Sequence, residues 1–244
     1  MELIHFSSIG FILLTLLAAC IAGRFRRDSL NVANAIILPA GIAATSISFV
    51  WILANLEDPA RIAGDVFVAC LPTFYAAIIK FCLGMVVSEE KRVDPGAAGA
   101  VGSVVWMVLI GLTIAFKGYF LQYVNPLSFV FFLLSVVITG GLTLAFKKHA
   151  MVDHLVRLVP CAGLIMLYSG VLLLLHRLDD VSRLGPVMAF GLLGHLYCIL
   201  FSVWLNLLRP DLVEPGKDIS RWMYWGASLL GITGLLGLPL AILS

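Results

Sequence analysis

Eight apolar stretches, each about 17 to 24 residues long, follow one another along this chain with short polar connections between them. They run at roughly 3–23, 32–55, 65–88, 100–116, 127–146, 155–175, 186–207 and 222–243. A hydrocarbon core about 30 Å thick takes about 20 residues of helix to cross. Lipid offers the backbone no hydrogen-bond partners, so each stretch must close its own ladder as a helix. The expected fold is an all-α integral membrane protein of about eight transmembrane helices. No connection is long enough to form a soluble catalytic domain.

Charged residues make up 12% of the chain, about half the share in soluble proteins. The net charge of +2 is too small for a nucleic-acid surface. The charges fall almost wholly between the apolar stretches, where their side preference reports orientation. Connections carrying Arg24, Arg26 and Arg27; Lys91 and Arg92; Lys147 and Lys148; and Arg209, Lys217 and Arg221 alternate with connections holding Arg61, Lys117, or Arg177 and Arg183. The richer set is expected on the cytoplasmic side, which puts both termini outside the cytoplasm. A bacterial inner membrane is the expected location.

Cys20, Cys70, Cys82, Cys161 and Cys198 all lie inside apolar stretches, with no C-x-x-C spacing. They are expected to pack as small apolar residues rather than to form disulfides or a metal site. The stretches contain neither an H-E-x-x-H nor a paired-carboxylate motif, so neither enzymatic chemistry nor a cofactor is expected. Leu17-Ala18-Ala19-Cys20 has the form of a lipoprotein cleavage box, but no Lys or Arg precedes it. The first stretch is therefore expected to persist as a span.

The chain also carries an internal similarity. Leu56-Glu57-Asp58-Pro59-Ala60-Arg61-Ile62 returns 122 residues later as Leu178-Asp179-Asp180-Val181-Ser182-Arg183-Leu184. Gly41 and Tyr75 fall on Gly163 and Tyr197 at the same offset. Ile110-Gly111-Leu112-Thr113 approaches Leu230-Gly231-Ile232-Thr233 at an offset of 120. Two repeats of four helices are expected, 1–122 and 123–244. Because each repeat has an even number of spans, the two are expected to be parallel, related by an axis along the membrane normal.

The segment Leu184-Gly185-Pro186-Val187-Met188-Ala189-Phe190-Gly191-Leu192-Leu193-Gly194-His195-Leu196-Tyr197, continuing to Leu205-Asn206-Leu207-Leu208-Arg209-Pro210, resembles the last helix of the MotA branch of the MotA/TolQ/ExbB family. Pro160-Cys161-Ala162-Gly163 is similar to that family's P-x-x-G start, and Leu178-Asp179-Asp180 to its acidic hairpin. Gly41 to Thr45, Asn55 to Pro59 and Pro72-Thr73-Phe74-Tyr75 give a second, partial match. The similar hairpins cover about 37–90 and 157–210. The resemblance implies a subunit that oligomerises around a single-span partner bearing an intramembrane aspartate, with protons or sodium ions driving the assembly. The family's large cytoplasmic insertion is reduced here to about 147–153, which argues against contact with a rotor. The helix order is also shifted, since the chain begins at the family's second helix.

The resemblance implies that Thr45, Thr73 and Tyr75 line an ion path in the first half and His195 and Tyr197 in the second, where His195 replaces a threonine. It also puts Pro39, Pro160, Gly163, Pro186 and Pro210 at helix starts and turns. Independently of it, His195 is the only histidine deep in a stretch, suited either to a proton relay or to a neutral packing bond. Lys80 lies about eight residues inside the expected cytoplasmic end of its stretch, where it can snorkel or meet a partner's acid. No Asp or Glu lies deep in any stretch, so a self-contained cation path lacks its usual carboxylate. A small-solute transporter of two parallel repeats, or a non-conducting scaffold, is the alternative. Gly140 and Gly141, and Gly226, Gly231, Gly234 and Gly237, are expected at close helix contacts. The five tryptophans are expected mostly near span ends.

Overall fold

The computed structural model describes residues 5–26, 28–54, 59–86, 97–117, 120–146, 151–176, 181–209 and 224–233. Among them there is no strand. The helices are α1 (Phe6–Ala22), α2 (Asp28–Ala54), α3 (Pro59–Val86), α4 (Ala97–Lys117), α5 (Pro126–Phe146), α6 (Met151–His176) and α7 (Val181–Leu208), with a 3-10 turn at Phe120–Tyr123 before α5. An eighth helix, α8, is described over 224–233. Each expected stretch therefore carries a helix.

Five of these helices are long and apolar enough to cross a membrane: Ser29–Leu53, Gly64–Gly84, Ala97–Phe116, Leu158–His176 and Gly185–Leu208. Apolar side chains face outward on several of the described helices. Val101, Val104, Val108 and Leu112 are exposed along one stripe of α4, and Leu127, Phe131, Leu134 and Ile138 along one stripe of α5. Stripes of this size on a water-facing surface would drive association; against lipid tails they cost nothing. The chain is an all-α membrane protein.

Four prolines lie inside helices: Pro39 in α2, Pro72 in α3, Pro160 in α6 and Pro186 in α7. This corrects the expectation that Pro39, Pro160 and Pro186 stand at helix starts. A proline deletes one backbone hydrogen bond, but a membrane helix tolerates the loss where neighbouring groups satisfy the freed carbonyl. Pro210 lies outside the described residues.

The chain divides into two compact units, Met1–Phe120 with Val203–Asp218, and Leu121–Ser202 with Ile219–Ser244. In the first, α2 packs along α3, and α1 contacts α2, α3 and α4. Gly41 sets the closest approach of α2 to α3. A Cβ at Gly41 would lie 2.5 Å from Ala76 Cβ, 2.9 Å from the Pro72 carbonyl oxygen and 3.2 Å from Thr73 Cα. In the second unit, a Cβ at Gly163 of α6 would lie 2.8 Å from Cys198 Cβ and 3.4 Å from His195 Cδ2, both on α7. Gly41, Thr73 and Ala76 map onto Gly163, His195 and Cys198 at the one offset of 122. The same three positions thus form the seam in each hairpin.

A second pair of equivalent contacts ties helix starts down. The His5 N–H, at the start of α1, donates to the Tyr75 phenol oxygen at 3.4 Å. The Asn125 N–H, at the start of α5, donates to the Tyr197 phenol oxygen at 3.1 Å. Asn125 also caps α5, its side-chain oxygen accepting from the Ser128 N–H at 3.1 Å, which satisfies one of the free donors of the first turn. Thr113 and Thr233, 120 residues apart, each return their hydroxyl to the carbonyl four residues back.

The α1–α2 turn is tight. The Gly23 N–H donates to Ala19 and the Phe25 N–H to the Cys20 carbonyl, while Arg24 and Phe25 take φ of 57° and 53°. Left-handed backbone is unfavourable for residues with a Cβ. A Cβ at Gly23 would lie 2.5 Å from Ser29 Cα, a backbone atom that cannot swing aside. Gly23→Ala is expected to cost about 1–3 kcal/mol, the usual range for overpacking, read as a lower melting midpoint in detergent. An unchanged midpoint would show that the turn can open.

Candidate functional site

The α2–α3 seam brings two of the expected path residues together. Thr45 Oγ1 and Thr73 Oγ1 lie 2.7 Å apart, bonded hydroxyl to hydroxyl across the two helices. They are 2% and 7% exposed. Gly41 lies one turn from Thr45 on the same face of α2, and its missing side chain lets the helices come close enough for this bond. Of the neighbouring hydroxyls, Ser46 Oγ is buried without a hydrogen-bond partner among the described residues. Ser48, one turn beyond Ala44, faces a cleft described below.

Lys80 lies two turns from Thr73 on the same face of α3, half-buried. Its ammonium donates to the backbone carbonyl of Asn34 on α2. Lys80 therefore ties the two helices together, a contact that neither the snorkelling nor the partner-acid reading included. Along α2 and α3 the seam thus runs from a hydroxyl pair, past a glycine–alanine contact, to an anchored ammonium.

The second unit is different. Where Thr73 has its counterpart, His195 is completely buried. Its Nε2 lies 3.2 Å from Ser228 Oγ and 3.4 Å from the Tyr224 hydroxyl, both on α8. Ser228 Oγ donates to the Tyr224 carbonyl at 3.0 Å, so it accepts from an Nε2–H at the imidazole. Nδ1 is buried without a partner among the described residues. Thr45 has Leu167 as its counterpart, so this seam holds no hydroxyl pair. Ser228 and Tyr224 were not legible as partners of His195, because no sequence spacing links α7 to α8.

Tyr75 and Tyr197, expected on an ion path, act as tethers. Tyr197 accepts from Asn125 and donates to the Tyr123 carbonyl at 2.6 Å. Phe129 and Phe132 pack edge-on to its ring at 6.0 Å and 6.2 Å. Its hydroxyl is fully occupied by the backbone before α5.

The glycine expectations divide. A Cβ at Gly231 would lie 2.7 Å from Leu167 Cδ2, so α8 does approach α6 closely there. Among the described residues nothing lies within 4 Å of a Cβ at Gly140, Gly141 or Gly226, while Gly234 and Gly237 lie outside the described residues. Gly170 was not singled out, yet a Cβ there would lie 2.8 Å from Gly191 Cα. Trp106 also departs from the belt: it sits in the middle of α4 and is fully buried.

Among the described residues no group of three or more His, Cys, Asp or Glu side chains could hold a metal ion. Comparison with protein-family models, with curated proteins and with solved structures found no match.

Proposed function

We propose that this chain is a MotA/TolQ/ExbB-like subunit of an ion-driven assembly in a bacterial inner membrane, with both termini outside the cytoplasm. It works as a homo-oligomer around a single-span partner whose intramembrane carboxylate supplies the group that the chain's own spans lack. The observation that carries this reading is the Thr45–Thr73 hydroxyl pair, at the two positions where the resemblance implies path-lining hydroxyls. Hydroxyls can both donate and accept, so the pair can pass a proton or replace part of an ion's hydration once a carboxylate faces it. The His195 seam is then a second, unlike element of each subunit.

A non-conducting scaffold is the alternative that one observation favours: the two hydroxyls satisfy each other inside a closed seam. Purification of the tagged chain from native membranes in mild detergent, followed by mass spectrometry, separates the two. A co-purifying single-span protein with one intramembrane Asp is expected; its absence in repeated preparations sinks the proposal.

Thr73→Val tests the path directly. Valine keeps the shape and removes a hydroxyl whose bond contributes about 0.5–1.5 kcal/mol. Proton or sodium flux through vesicles bearing the assembly is expected to fall by about tenfold, with the melting midpoint shifted by only a few degrees. Full flux in the variant would remove the hydroxyl pair from the path, and no flux in the wild type would leave the scaffold.

A further inference from the structure

The first unit contains a cleft of about 570 Å³ that the ion-path reading does not use. Such a volume is that of a small-molecule pocket. Its position follows from alternating helix directions: α1 begins there, α2 and α4 finish there, and α3 passes in its first half. Small residues on facing helices hollow it out. Gly10, Ala44 and Ser48 line it, and nothing lies within 4 Å of a Cβ at Gly10.

The lining holds both apolar and polar side chains. Phe11, Leu14, Leu109, Leu112 and Phe116 supply an apolar wall. His5, Ser7, Ser8, Ser48 and Trp51 supply polar groups. Three of these form one network: His5 Nδ1 lies 2.8 Å from Ser8 Oγ and 3.0 Å from Ser7 Oγ. Pro72 and Val68 lie on the wall together.

Among the described residues, no Asp, Glu, Lys or Arg lines the cleft. An ionic head there would lose its hydration with no opposite charge from those residues in return, a heavy penalty at low dielectric. An uncharged head bearing carbonyl or hydroxyl groups meets hydroxyls and an imidazole that can bond it. A wholly apolar guest would leave those groups without use.

We propose that this cleft binds an uncharged membrane amphiphile, with its carbonyl- or hydroxyl-bearing head at His5, Ser7, Ser8 and Ser48 and its apolar body against Phe11, Leu14, Leu109, Leu112 and Phe116. Two membrane constituents offer that chemistry, an isoprenoid-type quinone and a diacylglycerol.

The test uses the full chain, delipidated in detergent, with three probes: a decyl-substituted benzoquinone, dioctanoylglycerol and a short-chain phosphatidylglycerol. Binding is read by native mass spectrometry and, for the quinone, by quenching of tryptophan fluorescence, since Trp51 lines the cleft. Saturable binding of the quinone or of dioctanoylglycerol is expected, and which of the two binds identifies the source. Ser48→Leu fills the cleft and is expected to weaken binding by about tenfold or more. His5→Ala removes the head contacts without filling space, and is expected to weaken binding even if Ser48→Leu fails to fold. Binding of phosphatidylglycerol alone, of no probe, or of a neutral probe equally to the wild type and His5→Ala would overturn the proposal.

Discussion

Gly41→Ala is expected to lower the thermal midpoint of the protein more than a methyl group ordinarily would, and to separate the Thr45–Thr73 pair. The added Cβ would meet Ala76 Cβ at 2.5 Å and the Pro72 carbonyl oxygen at 2.9 Å. Both are fixed to the α3 backbone, so relief requires moving a helix rather than turning a side chain. Overpacking of this kind costs about 1–3 kcal/mol. Gly163→Ala and Gly170→Ala are expected to behave alike, with nearest atoms Cys198 Cβ and Gly191 Cα, each at 2.8 Å. Gly194→Ala tests the reasoning, because its closest atom, Met166 Cε at 2.1 Å, is the end of a flexible chain that can swing away. It should cost less than Gly41→Ala despite the shorter distance. Gly111→Ala has nothing within 4 Å and should be neutral or stabilising, since alanine gains up to about 1 kcal/mol of helix propensity. The five variants melted side by side in one detergent give the ranking. Equal midpoints for Gly41→Ala and Gly111→Ala would remove the seam from the account.

Tyr197→Phe should be the most damaging loss of a single oxygen. That hydroxyl holds two backbone groups at once, the Asn125 N–H at 3.1 Å and the Tyr123 carbonyl at 2.6 Å. Leaving a buried polar group without its partner costs about 1–3 kcal/mol, and here two groups lose one. Tyr75→Phe frees the His5 N–H, bonded at a longer 3.4 Å, and should cost less. Hydrogen exchange at Asn125 should rise selectively in Tyr197→Phe. If exchange there is unchanged, the tether does not hold the start of α5.

The membrane class and the helix positions were legible in the sequence because hydropathy and length act locally. A run of apolar residues can only be a helix in lipid, whatever it packs against. The offset of 122 was legible for the same reason: Gly41 and Gly163, Tyr75 and Tyr197 are pairs of one-dimensional positions. Pro39, Pro160 and Pro186 were misplaced because their position came from the resemblance, whereas each lies inside a helix that the membrane keeps whole. Gly140 and Gly141 read as contact residues by spacing alone, but spacing does not say which face of α5 has a neighbour.

What residue order alone determined is the solvent: 61% hydrophobic residues in eight blocks commit the chain to lipid and to helices. What only the tertiary structure decided is which polar groups meet. The hydroxyl of Thr45 bonds that of Thr73 because Gly41 lets α2 approach α3. His195 finds Ser228 because α8 approaches α6 at Gly231 and brings its own hydroxyls to α7. The physical reason is range. Burial in lipid is decided residue by residue along one helix, whereas a hydrogen bond between helices needs two surfaces within about 3 Å, and that distance is set by the smallest side chains between them.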